Sequence, residues 1–391
     1  MAPLPERADA VVVGAGFAGL ATAAALTARG LRDVLVLEAE PVPGAHSSGR
    51  NAAMARRVIE DPLLARLATR SLELVRAADD ADEDGVRVLR PTGGLLLGDD
   101  AAVDALLAAA ATVPDLAADA RRLSPAEATA LVPALAGADF HAAVHTRECG
   151  IADSHALLTR FALHARAGGA TLRYREPVTA IHRDGGRVDA VETPSGRVAT
   201  GLVVNAGGAF ASGLAALAGA AAPAMTPMRR HLFVTAPFDG VDRGAPFVWD
   251  VSAGWYFRPE GEGLLLCACD QTAWPPEAPP VDPGAKEALA QKLDALVPGL
   301  RGARPTRGWS GLRTISRDGR FVIGPDPEVT GFFWVAGLGG HGMTTAAGVG
   351  ELAAIGILEG ALPAPYAAGF APGRFATSTS SRGSSPSGEP S

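Results

Sequence analysis

Two glycine clusters and one acid have the spacing that carries chemistry. Gly14-Ala15-Gly16-Phe17-Ala18-Gly19 follows the apolar run Ala10–Val13 and opens an Ala/Leu-rich segment, Leu20–Arg29, that Gly30 stops. A second apolar run, Val34–Leu37, ends in Glu38, 24 residues after Gly14. Gly14 permits a tight turn. Gly16 lets backbone N–H groups approach a pyrophosphate at the positive end of a helix, and Gly19 lets helix and strand pack closely. Glu38, with Ala39 beside it, can accept hydrogen bonds from both ribose hydroxyls, and its charge disfavours a 2′-phosphate. A glycine-rich turn without ligand would not require strand, turn, helix and acid in this order. The turn does not by itself separate FAD from NAD. The later cluster, Gly337-Leu338-Gly339-Gly340-His341-Gly342, leads into a helix expected from about Met343 to Leu358, and such a turn presents unpaired N–H groups.

These turns need a scaffold. The first 38 residues read as strand, turn, helix, strand: a βαβ unit. Helices are expected over 55–78, 101–111, 124–131 (opened by the capping box Ser124-Pro125-Ala126-Glu127), 156–167 and 285–296. Strands are expected over 95–97, 171–174, 178–182, 187–193, 202–205, 231–235, 247–251, 256–258, 264–268, 309–314, 321–324 and 332–335, with Asp184-Gly185-Gly186 making a hairpin turn. His141, His145 and Cys149 have a helical spacing that could suggest zinc. The segment reads more naturally as a strand and turn entering Gly150-Ile151-Ala152-Asp153.

Composition bounds the rest. With 391 residues, 48 % hydrophobic and 20 % charged, the chain is globular and too long for one ordinary core. A net charge of −7 argues against a nucleic-acid partner. Three cysteines without a CxxC pair exclude a disulfide framework and a cysteine-rich zinc module. The uncharged runs Val11–Ala28, Asn205–Met228 and Val329–Gly350 are interrupted by glycine and rich in alanine, so no membrane span is expected. Glu6 and Asp9 stand where a signal peptide would be basic. The expected location is cytoplasmic, with residues 376–391 a disordered Ser/Thr/Gly/Pro tail.

Four stretches resemble the flavoprotein family of D-amino-acid oxidases and dehydrogenases, glycine oxidases and sarcosine oxidases: the βαβ unit; Gly44–Ala53 (GAHSSGRNAA); Val203–Gly208 (VVNAGG); and Gly331–Ala336 with the glycine loop after it. The second stretch, with Arg229-Arg230, Trp255-Tyr256 and Gly311-Leu312-Arg313, looks most like D-arginine dehydrogenase and related D-amino-acid dehydrogenases. The resemblance implies an α/β fold. A Rossmann-like FAD-binding domain is assembled from 1–90, 145–215 and 305–370. A substrate-binding domain, an antiparallel sheet flanked by helices, is built from 91–144 and 216–304.

It also implies site residues. Ser47, Ser48 and Asn51 are hydrogen-bonding candidates for FAD; Ala206 and Gly207 border its adenosine half; Gly311, Gly339, Gly340, Gly342, Met343 and Thr344 belong to the flavin side. Val178 reads either as an adenine contact or as strand core. The late-loop N–H groups would face the flavin N1–C2=O edge, where negative charge gathers on reduction. No cysteine stands in the place of a covalent flavin link of the sarcosine-oxidase kind, so the FAD is expected to be non-covalent.

Oxidation of an α-amino acid moves the Cα hydride to flavin N5 as the amine becomes an imine, which hydrolyses to a 2-oxo acid and ammonia. Its carboxylate needs a bidentate cation, and arginine fits best. Arg313 matches the family's carboxylate-binding arginine and Arg230 is the second candidate. Arg229 would face the other side of its strand. Tyr256 matches a tyrosine that meets the carboxylate, or is a sheet aromatic. His46 either shares the amine proton or packs on the flavin. His341 and Thr344 line the pocket's pyrimidine side. The lid tyrosine of D-arginine dehydrogenases is missing, with Met54, Ala55 and Arg56 in its place, and only Glu83 or Asp84 could supply an acid for a cationic side chain. A D-amino acid is the expected substrate. The alternatives are a sarcosine- or glycine-type amine, a 2-hydroxy acid, or a flavin-bound scaffold subunit without catalysis. Either oxygen or a quinone would take the electrons.

Overall fold

The computed structural model describes residues 3–82 and 85–375. Glu83, Asp84 and the tail 376–391 lie outside them. The opening βαβ unit forms as the apolar runs dictate. Ala10–Val13 and Val34–Glu38 pair in parallel, and the helix Phe17–Ala28 joins them. They sit inside a six-stranded sheet ordered 322–325, 332–336, 203–205, 10–13, 34–38, 171–174, parallel except for its first edge. The central strands are apolar on both faces because helices Phe17–Ala28, Ser154–Ala167 and Ala346–Leu358 cover one side and a three-stranded meander, 180–199, lies on the other.

A second, nine-stranded sheet is mainly antiparallel and carries its own core around Trp255, Phe257 and Leu266. The mixed α/β fold therefore matches the expectation. Met225–Thr235 is the long strand of this sheet, six residues longer at its start than the periodicity suggests, and it pairs over its whole length with Pro305–Ser316. Residues 305–316, expected with the cofactor-binding part, thus lie by their hydrogen bonds in the larger sheet. Ala142–Thr146, also in that sheet, runs across the boundary expected at 144.

Two helix starts differ from expectation. The helix expected from 55 begins at Pro62, capped by Asp61, whose carboxylate accepts from the N–H groups of Leu63 and Leu64. Residues 54–59 are buried and non-helical instead, because Met54–Ala55 pairs with Gly150–Ala152. The last long helix begins at Ala346 rather than Met343, since 342–345 form turns that keep the glycine loop open. The strand expected over 178–182 runs from Ala180 to Asp184. The Ser124 capping box forms as read.

Candidate active site

A cavity of about 510 Å³ opens between the two sheets. Every site residue singled out from the sequence lines it except Ala15 and Gly19. Those two shape its wall. A Cβ on Gly19 would stand 1.9 Å from the Gly14 carbonyl oxygen, so the helix can approach the strand only if residue 19 has none. Gly14 has φ +108°, a backbone that L side chains rarely adopt. The N–H of Ala15 donates to Glu38 Oε2 at 2.7 Å, and the N–H of Glu40 to Oε1 at 2.9 Å. These bonds hold the Glu38 carboxylate at the cavity wall with lone pairs still available for ribose hydroxyls.

The helix Phe17–Ala28 starts at Gly16 with no side-chain cap and no acid in its first turn. Its positive end faces the cavity, as a pyrophosphate requires. The Ser48 hydroxyl accepts from the Phe17 N–H at 3.0 Å. Ser47 Oγ donates to the Leu312 carbonyl at 2.7 Å, and Asn51 bridges the Ser48 carbonyl, the Ala53 N–H and Ser154. Ser47 and Asn51 therefore spend polar atoms on fastening the 44–53 loop to the larger sheet and to the start of the helix Ser154–Ala167. At the late loop, the N–H groups of Gly340, Gly342 and Met343 donate to no backbone carbonyl among the described residues. Unpaired donors of this kind are what an anionic flavin edge needs.

His46 turns toward the ribose end. Its Nε2 is 2.9 Å from Glu40 Oε1 and its ring is 5.1 Å from that of Phe210. At the opposite end stand Arg230, Arg313 and Tyr256. As strand alternation requires, Arg229 and Arg230 diverge: Arg229 pairs with Asp282 at 2.9 Å and lies over Trp274, while Arg230 reaches the cavity. The Arg230 fork is held by the carbonyls of Asp270 and Cys269 and by Gln271 Oε1, and its Nη1 is buried without a partner. Burial, and then Arg230, make the charge of Arg313 costly. Tyr256 is fully buried, and burial followed by Cys267 pushes its phenol well above the usual value, so it remains a donor. His341 is held well below its usual pKa by burial, then by Arg56 and Arg313, and is neutral.

Three residues here were given no site role from the sequence. Arg56 lines the cavity with its guanidinium 4.2 Å from the Trp249 ring centre, and Trp249 in turn packs on Tyr256 at 5.0 Å. The signal for Arg56 was its place in the lid region, beside a second arginine. Cys267 pairs across the sheet with Tyr256. Burial opposes its ionisation, but the hydrogen bond with Cys269, Arg230, Tyr256 and Arg313 outweigh it and bring the thiol down to about 6. Nothing in the sequence marks that cross-strand register. No group of three His, Cys, Asp or Glu among the described residues could hold a metal.

A strand–glycine turn–helix with Glu38, a late glycine loop with unpaired N–H groups and the arginines Arg230 and Arg313 share one cavity. Residues 9–354 match the family described as DAO, FAD dependent oxidoreductase. The chain belongs to that family. Its cofactor is FAD, and the uncapped helix, Glu38 and the late-loop donors fit it. This DAO-family chain is 27 % identical over 380 residues to mitochondrial dimethylglycine dehydrogenase of Mus musculus, covering 92 % of the chain and 43 % of that protein. It is 27 % identical to mitochondrial sarcosine dehydrogenase of Homo sapiens, covering 92 % and 40 %. The chain thus spans less than half the length of these two relatives. L-proline dehydrogenase from P. horikoshii superposes with a TM-score of 0.84 at 26 % identity, covering 95 % of this chain and 98 % of that one. Glycine oxidase from Geobacillus kaustophilus gives 0.77 at 26 %, covering 92 % and 96 %. None of these four is a D-arginine dehydrogenase, so the family expectation holds while the finer likeness gives way to relatives named for sarcosine, dimethylglycine, proline and glycine. No helix among the described residues is long and apolar enough to cross a membrane.

Proposed function

We propose that this chain oxidises the Cα–N bond of an α-amino acid, with a secondary or cyclic amine favoured over the primary D-amino acid expected from the sequence. The carrying observation is the junction of Arg313, Arg230 and Tyr256 at the end of the cavity remote from Glu38. FAD supplies the two-electron acceptor for the α-hydrogen when it is bound. Arg313 binds the substrate carboxylate with its fork. The free Nη1 of Arg230 and the Tyr256 hydroxyl donate to the same group. Neutral His341 offers a ring nitrogen to the amine without adding a charge beside it. The imine product then adds water at Cα and yields a 2-oxo acid, a linear substrate releasing its amine and a cyclic one opening its ring.

The relatives named for sarcosine, dimethylglycine and proline support the secondary-amine preference. The absent lid tyrosine weighs against a D-arginine-like substrate. The FAD is proposed to be non-covalent, and oxygen or a quinone to reoxidise it. Anaerobic stopped-flow mixing of the purified yellow protein with sarcosine, L- and D-proline, and D- and L-amino acids tests this reading. Flavin bleaching by an amine that carries an α-carboxylate is expected. Bleaching by amines without a carboxylate at equal efficiency, or by 2-hydroxy acids alone, refutes it.

A further inference from the structure

Five arginines are buried among the described residues: Arg56, Arg57, Arg229, Arg230 and Arg258. Three of them hold a carboxylate. Arg57 pairs with Asp119 at 2.5 Å, Arg229 with Asp282 at 2.9 Å and Arg258 with Glu260 at 2.5 Å. The other two, Arg56 and Arg230, form no ion pair, and both line the cavity. Arg313 and Arg50, half-buried in the same wall, form none either among the described residues, but Arg50 spends its fork on the carbonyls of Ala45 and Ser310. A cation withdrawn from water is costly without a counter-charge. The protein gives a carboxylate to each buried arginine that is structural, whereas Arg56, Arg230 and Arg313 have none within ion-pair distance among the described residues; an acidic group acting on both Arg230 and Arg313 is the buried Cys267 thiol.

Three guanidinium charges exceed the single negative charge of one substrate carboxylate. Arg313 and Arg230 act on each other electrostatically and share Tyr256 and the Cys267 thiol as neighbours. A single α-carboxylate fits between them. Arg56 lines the cavity over the Trp249 ring, which also packs on Tyr256, and it acts electrostatically on Arg313 and on His341. The carboxylate acting on Arg56 is that of Glu60, which is exposed and outside ion-pair distance. The acids lining the cavity, Glu38, Glu40 and Glu176, belong to its ribose end. Arg56 is also fixed in place: its N–H donates to Thr344 Oγ1 at 3.4 Å, and that hydroxyl donates to the Met54 carbonyl at 3.0 Å. Arg57, next in the same segment, points the other way into its pair with Asp119.

We propose that the substrate is a dianionic amino acid, with its α-carboxylate between Arg313 and Arg230 and a second acidic group on Arg56. This rests on the amino-acid reading above and narrows it. The second group is a carboxylate borne either by the side chain, as in an acidic amino acid, or by the nitrogen substituent, as in an N-carboxyalkyl amino acid.

The flavin-loaded enzyme is titrated with glutarate and with pentanoate at fixed ionic strength, following the visible flavin spectrum and the thermal midpoint. Glutarate is expected to bind at least ten-fold more tightly. In Arg56→Gln that ratio falls to near one, and Arg56→Lys restores part of it. Equal affinities in the parent enzyme, or a ratio that survives in Arg56→Gln, overturn the proposal. Flavin reduction by aspartate and glutamate of both configurations is then compared with reduction by N-carboxymethyl glycine and by the neutral sarcosine, proline and alanine. Faster reduction by either dianionic class supports the proposal and tells the two sources apart. Neutral substrates reducing the flavin as efficiently as both dianionic classes overturn the second-anion assignment and leave the amino-acid reading standing. If neither glutarate nor pentanoate binds, both fall together.

Discussion

The Arg313 guanidinium lies directly against the backbone of Gly340. A Cβ at residue 340 would stand 2.7 Å from Arg313 Cζ and 2.8 Å from Nη2. The late glycine loop therefore bounds the position of Arg313, the arginine proposed to bind the substrate carboxylate. Gly340→Ala is expected to leave the thermal midpoint nearly unchanged, because the far end of a flexible side chain can move. It should still raise KM for any carboxylate substrate. Arg313→Ala bounds that effect. Loss of a buried charge-pair partner costs ~2–5 kcal/mol, a rise in KM of roughly 30-fold or more. A Gly340→Ala enzyme with unaltered KM would show that the contact does not position Arg313.

Gly19→Ala should act on the cofactor rather than the substrate. A methyl group 1.9 Å from the Gly14 carbonyl cannot be accommodated without moving strand from helix. Flavin content after gel filtration is expected to drop steeply. The far sheet, with its separate core around Trp255 and Phe257, should remain folded by near-ultraviolet circular dichroism.

Tyr256→Phe removes one donor to a carboxylate. A hydrogen bond to a charged group contributes about 1.5–3 kcal/mol, so kcat/KM should fall roughly ten- to one-hundred-fold. Because burial keeps the phenol protonated well above its usual range, the loss should be uniform from about pH 6 to pH 10. A variant that abolished an alkaline limb in the parent profile would mean that Tyr256 titrates.

His46→Ala separates the two roles left open for this histidine. With its ring on Glu40 and Phe210, its loss should weaken FAD retention several-fold. The rate of flavin reduction at saturating substrate should change only a few-fold. A collapse of that rate with full flavin occupancy would restore His46 as the proton acceptor.

Asp318 fastens the end of the described chain. It pairs with Arg374 at 2.8 Å and accepts from Ser316 and the Arg320 N–H. Burial opposes ionisation, but these partners bring its pKa down to about 2. A carboxylate depressed in the folded state adds stability that is present above its unfolded value near 4 and is lost as pH falls toward 2. Asp318→Asn should therefore lower the thermal midpoint at pH 7 and flatten its decline between about pH 4 and pH 2. Parallel decline curves for the two proteins would refute this.

Much of the cofactor end was legible because its signals are local. Gly14, Gly16, Gly19 and Glu38 occupy one βαβ unit, where backbone geometry and helix polarity follow from neighbours a few residues away. Non-helical structure over 54–59 was not legible. Arginine and alanine there suit a helix, and only pairing with Gly150–Ala152 and the buried Arg57–Asp119 contact override that preference. Helix 346–358 began late for a similar reason, since the turns at 342–345 are fixed by contacts with 54–56.

The sequence by itself determined a nucleotide-type glycine turn with its acid, an α/β fold and a pair of arginines of which one could face a site. Short-range sterics and strand alternation are written in adjacent residues. The tertiary structure alone decided that Arg56, Arg230 and Arg313 converge without carboxylate partners and that Cys267 stands behind Tyr256. It also decided that Gly340 bounds Arg313. Those relationships join segments up to hundreds of residues apart, and charge reaches across space regardless of order along the chain.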